Sequence, residues 1–108
     1  MVKVIMHGCN GKMGQVISGL IAADPDIELV AGIDARDDGH NPYPVFTDIE
    51  KCDVAADCII DFSAAVAVDR LLNYCVEKKI PCVLCTTGLS EAQLSKVDEA
   101  AKHVAILK

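Results

Sequence analysis

The sequence predicts an α/β domain built on a doubly wound parallel sheet, strand order 3-2-1-4-5-6, with helices on both faces. Three observations carry that expectation. Short apolar runs of strand length alternate with stretches whose apolar residues recur at helical spacing, and each unit is long enough to return the chain to a parallel neighbour. A cluster of spaced glycines falls at the first strand-to-helix junction. With 108 residues and 52% hydrophobic composition, residues 1–108 are expected to form one unit around one core.

The elements follow in order. Val2 to His7 is apolar except for Lys3, the pattern of a strand buried on both faces. Met13, Val16, Ile17, Leu20 and Ile21 mark one face of a helix from Lys12 to Ala23, which Asp24-Pro25 stops. Ile27 to Ile33 reads as the second strand, followed by a polar loop to Pro44 and a short third strand at Val45-Phe46. Ala56 to Phe62 is the fourth, and Val68, Leu71, Leu72, Cys75 and Val76 stripe a helix predicted over Val66–Lys79. Pro81 to Cys85 is the fifth strand. Gly88 breaks it, Ser90 and Gln93 form a capping box opening a helix to about Lys102, and Val104 to Leu107 is the last strand.

Charge and composition exclude several partners. A net charge of −6, with no basic run longer than Lys78-Lys79, argues against nucleic acid, whose binding needs clustered cations. No apolar run approaches the ~18 residues of a membrane span, and the N-terminus lacks a secretory signal, so a cytoplasmic location is expected. The six cysteines are then expected to be reduced thiols. Cys82 and Cys85 sit three apart in a strand and point to opposite faces, which favours packing over a redox or metal pair, and no metal site is expected.

The chemistry concentrates at the glycines. Gly8, Gly11 and Gly14 form a GxxGxxG turn between a strand and a helix, where glycine permits the sharp turn, the approach of backbone amides to a pyrophosphate, and close helix packing. This is the context of a Rossmann-type dinucleotide site. Asp34, twenty residues beyond Gly14 at the end of strand two, can accept hydrogen bonds from an adenosine ribose. Its carboxylate disfavours a 2′-phosphate, whereas Arg36 and Lys12 attract one, so NADH is expected to bind at least as well as NADPH. Asp61-Phe62-Ser63 and Cys85-Thr86-Thr87-Gly88 follow strands four and five and are expected at the same sheet edge. His7, just before the turn, can donate to a phosphate but reads first as a strand-end histidine satisfied by backbone, His40 and His103 read as surface residues, Tyr43 and Phe46 as packing with a place near an adenine pocket as the alternative, and Asp61 as an anchor for its loop through backbone amides.

Gly8-Cys9-Asn10-Gly11-Lys12-Met13-Gly14, Asp34, Asp61-Phe62-Ser63 and Thr86-Thr87-Gly88, in that order, resemble the N-terminal domain of the 4-hydroxy-tetrahydrodipicolinate reductases, formerly dihydrodipicolinate reductases, of lysine and diaminopimelate biosynthesis. The resemblance runs the whole chain. It implies that Gly8, Asn10, Gly11, Lys12, Met13 and Gly14 cradle a pyrophosphate, that Asp34 holds the ribose, and that Phe62, Thr86, Thr87 and Gly88 line the nicotinamide side. In that family the phosphate-reading Arg often directly follows the acidic residue; here Ala35 stands there and Arg36 is shifted by one.

The family transfers hydride from NAD(P)H to a cyclic imine diacid, using a His acid, a Lys and a Ser-Gly-Thr loop in a second domain that also forms the tetramer. This sequence holds neither a His-His-x-x-x-Lys stretch nor Ser-Gly-Thr. No catalytic residue is therefore assigned in it, and cofactor binding without turnover is expected. Without that second domain, Val104 to Leu107 is expected to be an open sheet edge, giving a monomer or weak dimer. The rival reading is a non-catalytic nucleotide sensor on the same fold. A phosphoacceptor receiver is disfavoured, because glycines rather than an acidic pair follow strand one.

Overall fold

A computed structural model describes residues 1–37 and 39–108. Among the described residues six parallel strands, β1 (Val2–His7), β2 (Ile27–Ile33), β3 (Val45–Phe46), β4 (Cys58–Asp61), β5 (Cys82–Leu84) and β6 (Ile106–Leu107), form one sheet in the order β3-β2-β1-β4-β5-β6. The helices α1 (Lys12–Ala22), α2 (Val68–Lys78) and α3 (Glu91–Ala100) lie between them. The crossover through α1 moves one way along the sheet, and those through α2 and α3 move the other way. Because such crossovers are right-handed, α1 lies on the face opposite the packed α2–α3 pair. The direction changes between β1 and β4, so a crevice opens beyond their C-terminal ends.

The two faces are unequal. Ile5, Ile33, Ile59, Leu71, Leu84 and Val97 belong to a continuous core on the α2–α3 side. The 3-10 turn Ile49–Lys51 joins that core through Ile49, and the buried Tyr74 hydroxyl donates to the Cys52 carbonyl at 2.9 Å. On the other side α1 buries Gly14 and Ile21, while Val16 and Leu20 are 51% and 66% exposed. Along β1–β2 the register passes from Val4↔Leu29 to Ile5↔Ala31. Val30 is the extra residue, and both Val30 and Ala31 turn toward the larger core.

The elements are shorter than the sequence patterns predict, for local reasons. Ala65–Ala67 is a 3-10 turn rather than the start of α2, and Val66 is 89% exposed. No side chain caps that segment, so the helix becomes regular only at Val68. Lys79 ends α2 in the left-handed region (φ 56°), a role the sequence does not mark with Gly or Asn. The predicted strand from Val104 begins at Ile106, because the Val104 amide is used on the Ala100 carbonyl at 3.1 Å. The Ser90/Gln93 capping box forms as expected. In addition, Gln93 Nε2 donates to the Ala65 carbonyl at 2.7 Å, tying the start of α3 to the entry of α2.

Leu71 is fully buried and Leu20 is largely exposed on α1. Leu71→Ala is expected to cost about 2–5 kcal/mol in urea unfolding, and Leu20→Gln to change stability by less than about 0.5 kcal/mol.

Candidate functional site

The turn after β1 is built from backbone in close contact. Gly8 has φ +87°, and its amide donates to the Ile33 carbonyl at 2.7 Å. A Cβ at Gly8 would fall on the Phe62 carbonyl, and one at Gly14 would fall on the Gly8 carbonyl. These two positions exclude any side chain, which lets the loop rest on the neighbouring strand end and α1 rest on the loop. A Cβ at Gly11 would meet only the Gly8 carbonyl oxygen, at 3.4 Å. Gly11 is the N-cap of α1 and supplies no side-chain acceptor, unlike Ser90 at α3. The first-turn amides of α1 therefore lack a cap, and with the helix dipole behind them they suit an anion.

Asp34 lies beside this turn and organises it. Its Oδ2 accepts the Asn10 amide and its Oδ1 the Arg36 amide, both at 3.0 Å. Arg36 Nη2 donates to the Asn10 carbonyl at 3.1 Å, and Asn10 Nδ2 returns a bond to the Arg36 carbonyl at 2.5 Å. Asn10 is 1% exposed, so its side chain braces the two loops, while Lys12 and Met13 are exposed on the first turn of α1. Asn10 Oδ1 is buried and has no hydrogen-bond partner among the described residues.

A second cluster holds the ends of β1, β4 and β5. The register pairs His7 with Asp61, so both side chains share a face. His7 Nδ1 lies 2.8 Å from Asp61 Oδ1, Ser63 Oγ donates to the same oxygen at 2.6 Å, and Thr86 Oγ1 donates to Oδ2 at 2.5 Å. The Ser63 amide donates to Thr86 Oγ1 at 3.0 Å. Burial alone would raise the Asp61 pKa; the bonds from His7, Ser63 and Thr86 outweigh it and hold the carboxyl below its ordinary range.

Two sequence expectations need correction here. His7 is held at Nδ1 by side chains, not backbone, and Asp61 anchors its loop through an imidazole and two hydroxyls rather than through amides. Both groups were isolated singletons in the sequence; only strand register brings them together.

A cleft of about 680 Å³ joins the two clusters, lined by His7, Gly8, Gly11, Asp34, Phe62 and Arg70 among others. Arg70, which sequence reasoning missed, reaches Asp48 at 3.5 Å across its outer end. Thr86 is turned inward, and Thr87 and Gly88 are exposed and do not line this cleft. Gly88 takes φ +75° with open space around it. Cys82 faces Cys75, whose thiol, together with burial, pushes the Cys82 pKa up, while Cys85 is half-buried. Burial likewise pushes Cys9 up to about 11, so these thiols are protonated packing groups near neutrality. His40 and His103 are exposed, Tyr43 packs beside Gly32 and Phe46 against the core. No helix is long and apolar enough to cross a membrane among the described residues.

A family described as dihydrodipicolinate reductase, N-terminus, matches residues 2–108. The chain is 47% identical over 106 residues to a 4-hydroxy-tetrahydrodipicolinate reductase of Clostridium novyi, covering 98% of this chain and 42% of that protein. It is 42% identical over 108 residues to the enzyme of that name from Clostridium tetani, covering 100% and 42%. Among solved structures, a dipicolinate-bound dihydrodipicolinate reductase from Paenisporosarcina sp. TG-14 superposes with a TM-score of 0.81 at 27% identity, over 94% of this chain and 43% of that one. The chain thus spans about two fifths of the length of these relatives.

The Asp61 cluster sets an acid limit on stability. With its folded pKa depressed, the contribution is fully present above the ordinary carboxylate range of ~4 and is lost as pH falls through the lower folded value. Asp61→Asn is expected to lose roughly 2–4 kcal/mol near pH 7, and its deficit relative to wild type should shrink below about pH 4 in denaturant titrations. A deficit constant down to about pH 2 would contradict this account.

Proposed function

The chain belongs to the family of dihydrodipicolinate reductase N-terminal domains, and from that premise we propose that residues 1–108 are the nicotinamide-dinucleotide-binding domain of a 4-hydroxy-tetrahydrodipicolinate reductase. The observation that carries the reading is the start of α1. Its amides are uncapped, Gly11 leaves them open, and Gly8 and Gly14 hold the turn where no side chain can stand between backbone and ligand. That arrangement favours a diphosphate.

In this reading the backbone of Gly8, Gly11, Lys12, Met13 and Gly14 binds the diphosphate, and Asn10 acts by bracing the turn. Asp34 keeps lone pairs for a ribose hydroxyl while it holds the Asn10 and Arg36 amides. Arg36, clamped to the Asn10 carbonyl, stands where a 2′-phosphate would be met, which offsets part of the repulsion from Asp34. Both NADH and NADPH then bind, NADH at least as well. Phe62, Thr86, Thr87 and Gly88 border the nicotinamide side, Thr86 by shaping the Ser63 loop rather than by offering its hydroxyl.

Bound NADH or NADPH would supply a hydride to a cyclic imine dicarboxylate. The groups that hold and protonate that substrate belong, by the family resemblance, to the part of the relatives this chain does not span. The domain alone accordingly binds cofactor without turnover, works in the cytoplasm, and is a monomer or weak dimer through the exposed edge at Leu107.

Calorimetric titration of the chain with NADH should show saturable one-to-one binding, and no substrate-dependent NADH oxidation should follow. Asp34→Asn is expected to weaken NADH by about tenfold and to raise the relative affinity for NADPH. A wild-type preference for NADPH that persists unchanged in Asp34→Asn would refute the role given to Asp34; absence of any dinucleotide binding would refute the site.

A further inference from the structure

The histidine at the end of β1 has one nitrogen accounted for and one left over. His7 is 4% exposed, and its Nδ1 faces Asp61 Oδ1 at 2.8 Å and Ser63 Oγ at 3.1 Å. An ionised carboxylate only accepts hydrogen bonds, so Nδ1 carries a proton in every state in which Asp61 is charged. The proton that comes and goes is therefore on Nε2. Among the described residues Nε2 has no hydrogen-bond partner, and the ring belongs to the lining of the cleft together with Gly8 and Gly11.

Building on the proposed dinucleotide site, we propose that His7 Nε2 is a proton-dependent contact to the cofactor's diphosphate, so that nucleotide affinity rises as His7 is protonated. His7 immediately precedes the glycine turn, and the diphosphate is the strongest anion a dinucleotide brings to that turn. Imidazole is the side chain whose ordinary titration falls between about pH 5 and 8, and Asp61 behind it orients the ring. A cationic Nε2–H donates to a phosphate oxygen; the neutral Nε2 is a lone pair that repels it.

The other charged and titratable groups around the ring are few. Asp61 is on β4, Asp34 follows β2 across the cleft, Arg70 of α2 is paired with Asp48 at the outer end, and Cys85 follows β5 with its thiol pushed up by burial and by Asp61. On α1, Lys12 is exposed in the first turn.

NADH is the probe, because it lacks a 2′-phosphate with its own titration in this range. Its affinity for wild type should weaken as pH rises from about 6 to 8, by at most about tenfold per unit, in calorimetric or fluorescence titrations. His7→Asn keeps a donor to Asp61 and removes Nε2; it should bind NADH more weakly at about pH 6 with a flat profile, while retaining wild-type thermal unfolding within a few degrees. His7→Gln, a donor that does not titrate, should also bind with a flat profile. A wild-type profile without pH dependence, or an identical one in His7→Asn, overturns the proposal while leaving the cofactor site intact. If wild type binds no NADH at any pH, the site itself is lost.

Discussion

One buried carboxylate sets the geometry on which the rest of the sheet's working edge depends. Asp61 is fully inaccessible, and such a charge is tolerable only when donors surround it. Here the donors come from three separate segments: His7 from β1, Ser63 from the loop after β4, and Thr86 from the loop after β5. Satisfying the carboxylate therefore fixes the relative positions of one strand end and two loops at the point where the strand order reverses. The same demand explains why Thr86 faces inward.

The glycine turn meets this cluster directly, since the Phe62 carbonyl is what bars a side chain at Gly8. Two constraints of opposite kind thus meet at one place: a steric exclusion that keeps backbone bare, and an electrostatic requirement that keeps the adjoining loop still. Asp34 adds a third, binding one loop amide with each oxygen. A residue suited to reading a ribose is also the brace of the turn beside it, so the shape of the site and its selectivity are not separable through that side chain.

The sheet order, the capping box at Ser90 and the glycine turn were legible because each rests on a local rule: period, spacing, or a residue that alone fits a conformation. The segment boundaries were less so. Lys79 in the left-handed region carries no Gly or Asn to announce it, and the Val104 amide is diverted into the last turn of α3 by a bond that periodicity does not encode. His7 and Asp61 lie 54 residues apart and become neighbours only through the β1–β4 register, so nothing local in the sequence pairs one with the other. Arg70 is unmarked in the sequence for a similar reason, since its place at the cleft mouth depends on how α2 leans on the 3-10 turn near Asp48.

The inequality of the two faces bears on how the molecule opens. α1 rests on little more than Gly14 and Ile21, whereas β1, β4, β5 and α2 share one apolar interior. Free energies of partial opening follow local burial, so amide protons of α1 should exchange with solvent through small fluctuations while those of Ile5 and Ile59 wait for global unfolding. The helix that begins at the glycine turn thereby stands outside that interior, and whatever docks at its first turn would be felt as slower exchange along its whole length.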